Sequence, residues 1–196
     1  MKNAFYGALM RMKYITRWAL MPNTRPENIC EHSYDVAALA HALALIENTR
    51  FGGTVKVEKC VMRALYHDLP EILTGDMPTP VKYVDERLRD AYRQVEEHAV
   101  SSILSLLPDD LRPDYAALLN DDPEAEQEMR LVKAADKLSA LIKCEEELKQ
   151  GNREFESARN STEKALREMN IPAVNCFLEE FLPPCRLTLD EQQRSE

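Results

Sequence analysis

Residues 33–46 read SYDVAALAHALALI. Only Ser33, Asp35 and His41 interrupt a run of Ala, Leu, Val, Ile and Tyr34. Ala and Leu are the best helix formers, and no Gly or Pro breaks the run. The segment therefore predicts a helix that is apolar nearly all round, the kind buried at the centre of a fold.

The chain on either side repeats the helical period. FGG at 51–53 is punctuation. VEKCVMRALYHD (57–68) sets Val57, Val61, Leu65 and Cys60, Ala64 on one side of a helix. TGDMPTPVKY (74–83) is a Pro-rich turn, followed by a long charged helix from about 84 to 107, stopped by Pro108. A short helix fits within 109–122, and a long Glu/Lys-rich one over 124–150, closed by Gly151. Two more cover about 153–168 and 172–182, and an irregular tail follows from about 183. Upstream, Phe5, Leu9, Met12 and Tyr6, Met10 predict an amphipathic helix over 3–15, and 17–31 reads as a loop.

Composition agrees with an all-α domain. Five Gly in 196 residues is well under the usual ~7%, which disfavours hairpins and phosphate-cradling Gly loops. No GxGxxG or GxxxxGK[ST] occurs. The five cysteines are scattered without a CxxC, a pattern of reduced cytoplasmic thiols rather than a disulfide framework. No apolar stretch reaches the ~18 residues a membrane span needs. A net charge of −9 argues against polymeric nucleic acid, whose binding depends on neutralising phosphates. A small anionic ligand needs only a local cationic cluster.

Chemistry has few places to reside, because the chain holds four histidines. His41 lies nine residues beyond His32, about 180° round a helix, so the two cannot share a site if both are helical. His41 reads as structural and His98, on a charged helix, as solvated. His67–Asp68 puts an imidazole and a carboxylate on one turn, a pairing that suits Mn, Fe, Co or Zn more than Ca or Mg. Asp136 sits among Leu131, Val132, Ala134, Ala135 and Leu138. Such a carboxylate binds a cation, pairs with Lys133 or Lys137, or faces water at the helix edge.

The order His32, His67–Asp68, Asp136 resembles the H…HD…D pattern of HD-domain metal-dependent phosphohydrolases. RW at 17–18, ENICEHS at 27–33, ALYHDLPEILTGDMPTPVKY at 64–83 and VKAADKLSALIKCEEEL at 132–148 resemble the bacterial 5′-deoxynucleotidase family across essentially the whole chain. The resemblance implies a single HD-domain helical bundle over residues 1–196. It also implies a cytoplasmic, dimeric enzyme that hydrolyses deoxyribonucleoside 5′-monophosphates to deoxynucleoside and phosphate.

On the same resemblance His32, His67, Asp68 and Asp136 hold one divalent transition metal such as Co²⁺ or Mn²⁺. Arg17 grips the phosphate and Trp18 walls the nucleoside pocket; on composition alone they read as surface and core. Glu71 handles a proton of the attacking water or the leaving oxygen. Locally, Asp68-x-x-Glu71 also reads as a capping box, with Pro70 breaking any straight helix from His67. Asp76, Met77, Pro78 and Thr79 approach the sugar, where a tight fit at C2′ would reject ribonucleotides; Asp76 also fits a plain turn. Other HD-type activities, on phosphodiesters or nucleoside triphosphates, share the metal pattern. A non-catalytic nucleotide-binding module would keep the metal for stability alone.

Overall fold

The computed structural model describes residues 3–82, 84–120 and 122–194, leaving out the side chains of Thr79, Pro80 and Pro123. The described residues are helical and form no sheet; an isolated antiparallel bridge pairs Thr16 with Asn28. The all-α expectation therefore holds. Two compact units divide the chain, one of residues 1–22, 26–34 and 65–126, the other of 23–25, 35–64 and 127–196.

The first unit opens with α1 (Phe5–Leu9), which tightens into a 3₁₀ turn over Met10–Tyr14. The predicted continuous helix over 3–15 is thus two pieces. The unit also holds the first turns of α2 (Ile29–Arg50), the last residues of α3 (Val57–Tyr66), and α4 (Glu71–Thr74), α5 (Thr79–Lys82), α6 (Glu86–Leu104) and α7 (Arg112–Leu119). Phe5, Met12, Ile29, Leu69, Ile103, Leu104 and Leu107 are buried together at its core. Asp85 caps α6 by accepting from the Leu88 N–H at 2.7 Å.

α2 begins at Ile29, four residues before the Ala/Leu run. The side chain of Asn28 accepts from the N–H groups of Cys30 and Glu31, both at 3.0 Å, so the helix can start inside the segment read as loop. His32 therefore stands on the first turn of α2 rather than just ahead of it.

The second unit packs the rest of α2 and α3 against α8 (Glu126–Lys149), α9 (Glu156–Glu168) and α10 (Pro172–Cys176). Val36, Ala40, Leu43 and Ala44 of α2 meet Leu131, Ala135, Leu138 and Leu141 of α8 in one buried cluster. The small Ala side chains permit close helix approach. Asn48 closes the connection to α3 with two 2.9 Å bonds to the Val55 backbone. Gly151, at φ 83, ends α8 as expected.

The C-terminal region is more ordered than predicted. A π turn at Phe177–Phe181 leads into α11 (Leu182–Cys185), and α12 (Leu189–Gln193) carries a Thr188/Glu191 capping box. No described helix is long and apolar enough to cross a membrane.

Candidate metal centre and nucleotide pocket

Pro70 builds the centre of the site. A helix running through it would clash with the Tyr66 carbonyl and lose a hydrogen bond. α3 accordingly ends at Tyr66, whose carbonyl accepts from the Leu69 N–H at 3.1 Å. His67 and Asp68 fall on the resulting turn, beyond the helix predicted to carry them. Leu69, fully buried, anchors that turn in the core. Pro70 then starts α4, with no side-chain cap, so the Asp68 capping box does not form.

His32 is fully buried on the first turn of α2, and its Nε2 lies 3.4 Å from Asp68 Oδ2. His67 Nε2 lies 3.1 Å from the other oxygen, Oδ1. The two imidazole rings are 5.2 Å apart between centroids. One donor atom from each of His32, His67 and Asp68 falls within 4.8 Å of the others, a spacing that one ion can bridge. Two imidazoles and a carboxylate, one from the first turn of α2 and two from the turn after α3, fit a borderline divalent ion.

Arg17 and Trp18 reach this centre through backbone pairing. Arg17 N–H donates to the Glu27 carbonyl at 2.9 Å and Ile29 N–H to the Ile15 carbonyl at 3.0 Å, on either side of the Thr16–Asn28 bridge. The Arg17 guanidinium then donates to Asp68 Oδ2 at 3.3 Å. Trp18 adopts φ 61, a left-handed conformation that costs a non-Gly residue energy and recurs at functional sites. Its backbone N–H bonds to Asp76 and its indole Nε1–H donates to Glu27 Oε2 at 2.7 Å. Glu27 is a site residue that sequence reasoning passed over.

Carboxylates crowd the far side. Burial pushes Glu71 up to about 9, and the nearby charges of Asp68 and Asp76 add to the rise against the opposing pull of Arg17 and Lys82. Glu71 Oε2 is buried with no hydrogen-bond partner. Burial likewise raises Asp76, against the opposing charge of Arg17. Gly75, at φ 72, turns the chain from α4 into this segment. Met77 and Pro78 are half-buried beyond it, and Thr79 opens α5. Tyr92 of α6 steadies the loop, its hydroxyl 3.3 Å from Thr74 Oγ1.

The first unit thus brings together Arg17, Trp18, His32, His67, Asp68, Glu71 and Asp76. Asp136 belongs to the second unit, half-buried on α8 between fully buried Ala135 and Leu138. His41 and His98 are exposed.

A helical fold with this His/His–Asp centre has the character of an HD-domain phosphohydrolase. An HD-domain phosphohydrolase from Listeria innocua superposes with a TM-score of 0.82 at 27% identity, covering 92% of this chain and 87% of that one. A cyanophage S-2L HD phosphohydrolase, described as bound to dA and one catalytic Zn²⁺ ion, shares the fold at TM-score 0.66 and 20% identity over 96% of this chain and all of that one. Residues 4–185 match the family described as 5′-deoxynucleotidase YfbR-like, and the chain belongs to it. Relatives named 5′-deoxynucleotidase include one from Erwinia tasmaniensis, 45% identical over 95% of this chain and 94% of its own length. Another, from Salmonella newport, is 44% identical over 95% of this chain and 94% of its own.

Proposed function

We propose that the protein is a 5′-deoxynucleotidase, a metal-dependent phosphomonoesterase that converts deoxyribonucleoside 5′-monophosphates to deoxynucleoside and phosphate. The observation that carries the reading is the convergence of His32 and His67 on opposite oxygens of Asp68, in a chain whose relatives are named for that reaction. Those three side chains would hold one divalent ion such as Co²⁺ or Mn²⁺. Asp136 is assigned as the fourth ligand from the family's pattern. Bound there, such an ion would supply a lowered water pKa and a positive charge facing the phosphoryl oxygens.

The protein's own groups do the rest. Arg17, already turned toward Asp68, offers further N–H donors to the phosphate. Trp18 offers an indole face to the sugar or base. Glu71, buried beside Asp68 and Asp76, would handle a proton of the attacking water or of the leaving 5′-oxygen. Asp76, with Met77, Pro78 and Thr79 beside it, would accept from the 3′-hydroxyl and leave no room for a 2′-hydroxyl. The resemblance further implies a cytoplasmic homodimer.

Phosphate release from dAMP and AMP tests the substrate reading. A markedly higher kcat/KM for dAMP is expected; equal values would remove the sugar selection. Turnover of a phosphodiester or a nucleoside triphosphate in place of dAMP would favour another HD-type activity.

A further inference from the structure

Three side chains assigned above face Glu27, which has no role in the proposed reaction. Its Oε2 accepts from Trp18 Nε1 at 2.7 Å and lies 3.3 Å from Arg17 Nε. Its Oε1 lies 3.9 Å from His32 Nδ1, beyond hydrogen-bond reach. Glu27 is 9% exposed, and a carboxylate so buried is costly unless its charge is met. Arg17 and the indole N–H meet it.

The backbone delivers this arrangement. Thr16 pairs with Asn28, so Arg17 and Glu27 are opposed across an antiparallel bridge. Opposed residues in such a pair project to the same face. Trp18 would continue to the other face, but its left-handed backbone accompanies an indole turned onto the same carboxylate.

We propose that Glu27 is a positioning residue for substrate binding: its carboxylate fixes Arg17 and Trp18 together before substrate arrives. Arg17 is held at two points, Nε toward Glu27 and Nη1 toward Asp68. A long side chain ordered in advance does not lose that freedom on binding, so the gain falls on affinity. The indole is fixed through the same oxygen. This inference rests on the roles given to Arg17 and Trp18 in the proposed function.

Two variants separate its halves. Glu27→Gln keeps an acceptor for the indole but removes the charge facing Arg17. Glu27→Ala removes both. Trp18 is the one tryptophan in the chain, so its fluorescence reports this contact alone. For Glu27→Gln the expected result is a KM for dAMP raised about tenfold, with Trp18 emission unchanged. For Glu27→Ala, KM rises at least as far, and Trp18 emission shifts and becomes more quenchable by acrylamide. Helical circular dichroism is retained in Glu27→Gln, which decides the matter if Glu27→Ala does not fold.

Wild-type KM in Glu27→Gln, or a fall in melting temperature with no change in KM, overturns the proposal. Wild-type quenching in folded Glu27→Ala overturns its indole half. Failure of the wild-type protein to release phosphate from dAMP would instead defeat the functional reading. The quenching comparison would still decide whether Glu27 positions Trp18.

Discussion

Glu147 is the most heavily bonded acid in the second unit, and its loss should be measurable. It is 1% exposed on α8. Its oxygens accept from the Thr24 backbone N–H at 2.9 Å, the Thr24 hydroxyl at 2.8 Å, Asn152 Nδ2 at 2.8 Å and the Lys143 ammonium. Lys143, 5% exposed, also donates to the Arg25 carbonyl at 2.6 Å. Burial alone would raise Glu147, but these donors outweigh it and bring the carboxyl from 4.5 down to about 2. At ~1.4 kcal/mol per unit, that depression corresponds to about 3 kcal/mol of stability. Because the folded value is the lower one, the contribution is complete above pH 4.5 and disappears as the pH falls toward 2. By pH 3.5 about 1.4 kcal/mol of it is gone. Glu147→Gln should therefore lose about 3 kcal/mol in urea denaturation at pH 7, followed by circular dichroism, and leave Lys143 buried without its counter-charge. The gap to wild type should narrow steadily below pH 4.5. A loss under about 1 kcal/mol at pH 7, or a gap that does not change between pH 6 and 3.5, would refute the reasoning.

Glu71→Gln removes the carboxyl proposed to handle a proton while keeping its shape, and should lower kcat for dAMP by about 10²–10⁴-fold with little change in KM; an unchanged kcat in steady-state assays would take Glu71 out of the chemistry. Cys30 and Cys185 are exposed, whereas Cys60, Cys144 and Cys176 are buried, and burial pushes the Cys60 thiol up to about 12. An aromatic disulfide reagent should titrate Cys30 and Cys185 rapidly in the native protein and the other three only in denaturant; rapid native modification of Cys60 would contradict its packing.

What the sequence made legible follows from what is local. The apolar spacing of α3 predicts a helix with one buried face, because that burial is written in the period, whereas α2, which reads as apolar nearly all round, leaves Tyr34, His41 and Leu45 exposed on one face. His67–Asp68 was visible as a ligand pair because imidazole and carboxylate are neighbours in the chain; the turn that Pro70 sets beyond α3 was not read for them. Other signals were present but outweighed. Asn28, followed three residues later by Glu31, resembles a helix start, yet Pro22 and Pro26 made the segment look like loop. Thr188 and Glu191 carry a capping box inside what reads as an irregular tail. Glu27 had no local signal at all. Its significance comes from a backbone bridge between Thr16 and Asn28, and from a left-handed Trp18, neither of which has a period or motif to read. Glu147 mixes local and non-local partners: Lys143 and Asn152 lie within five residues of it, but Thr24 lies more than a hundred residues away along the chain.

The most direct measurement of the central claim is phosphate release from dAMP by the purified protein, stripped with chelator and then resupplied with Co²⁺, Mn²⁺ or Zn²⁺, with His67→Ala run in parallel. The expected result is turnover that vanishes on chelation, returns with added ion, and is absent in His67→Ala under every condition. Turnover that persists in the stripped protein, or that His67→Ala retains, would contradict a reaction centred on His32, His67 and Asp68.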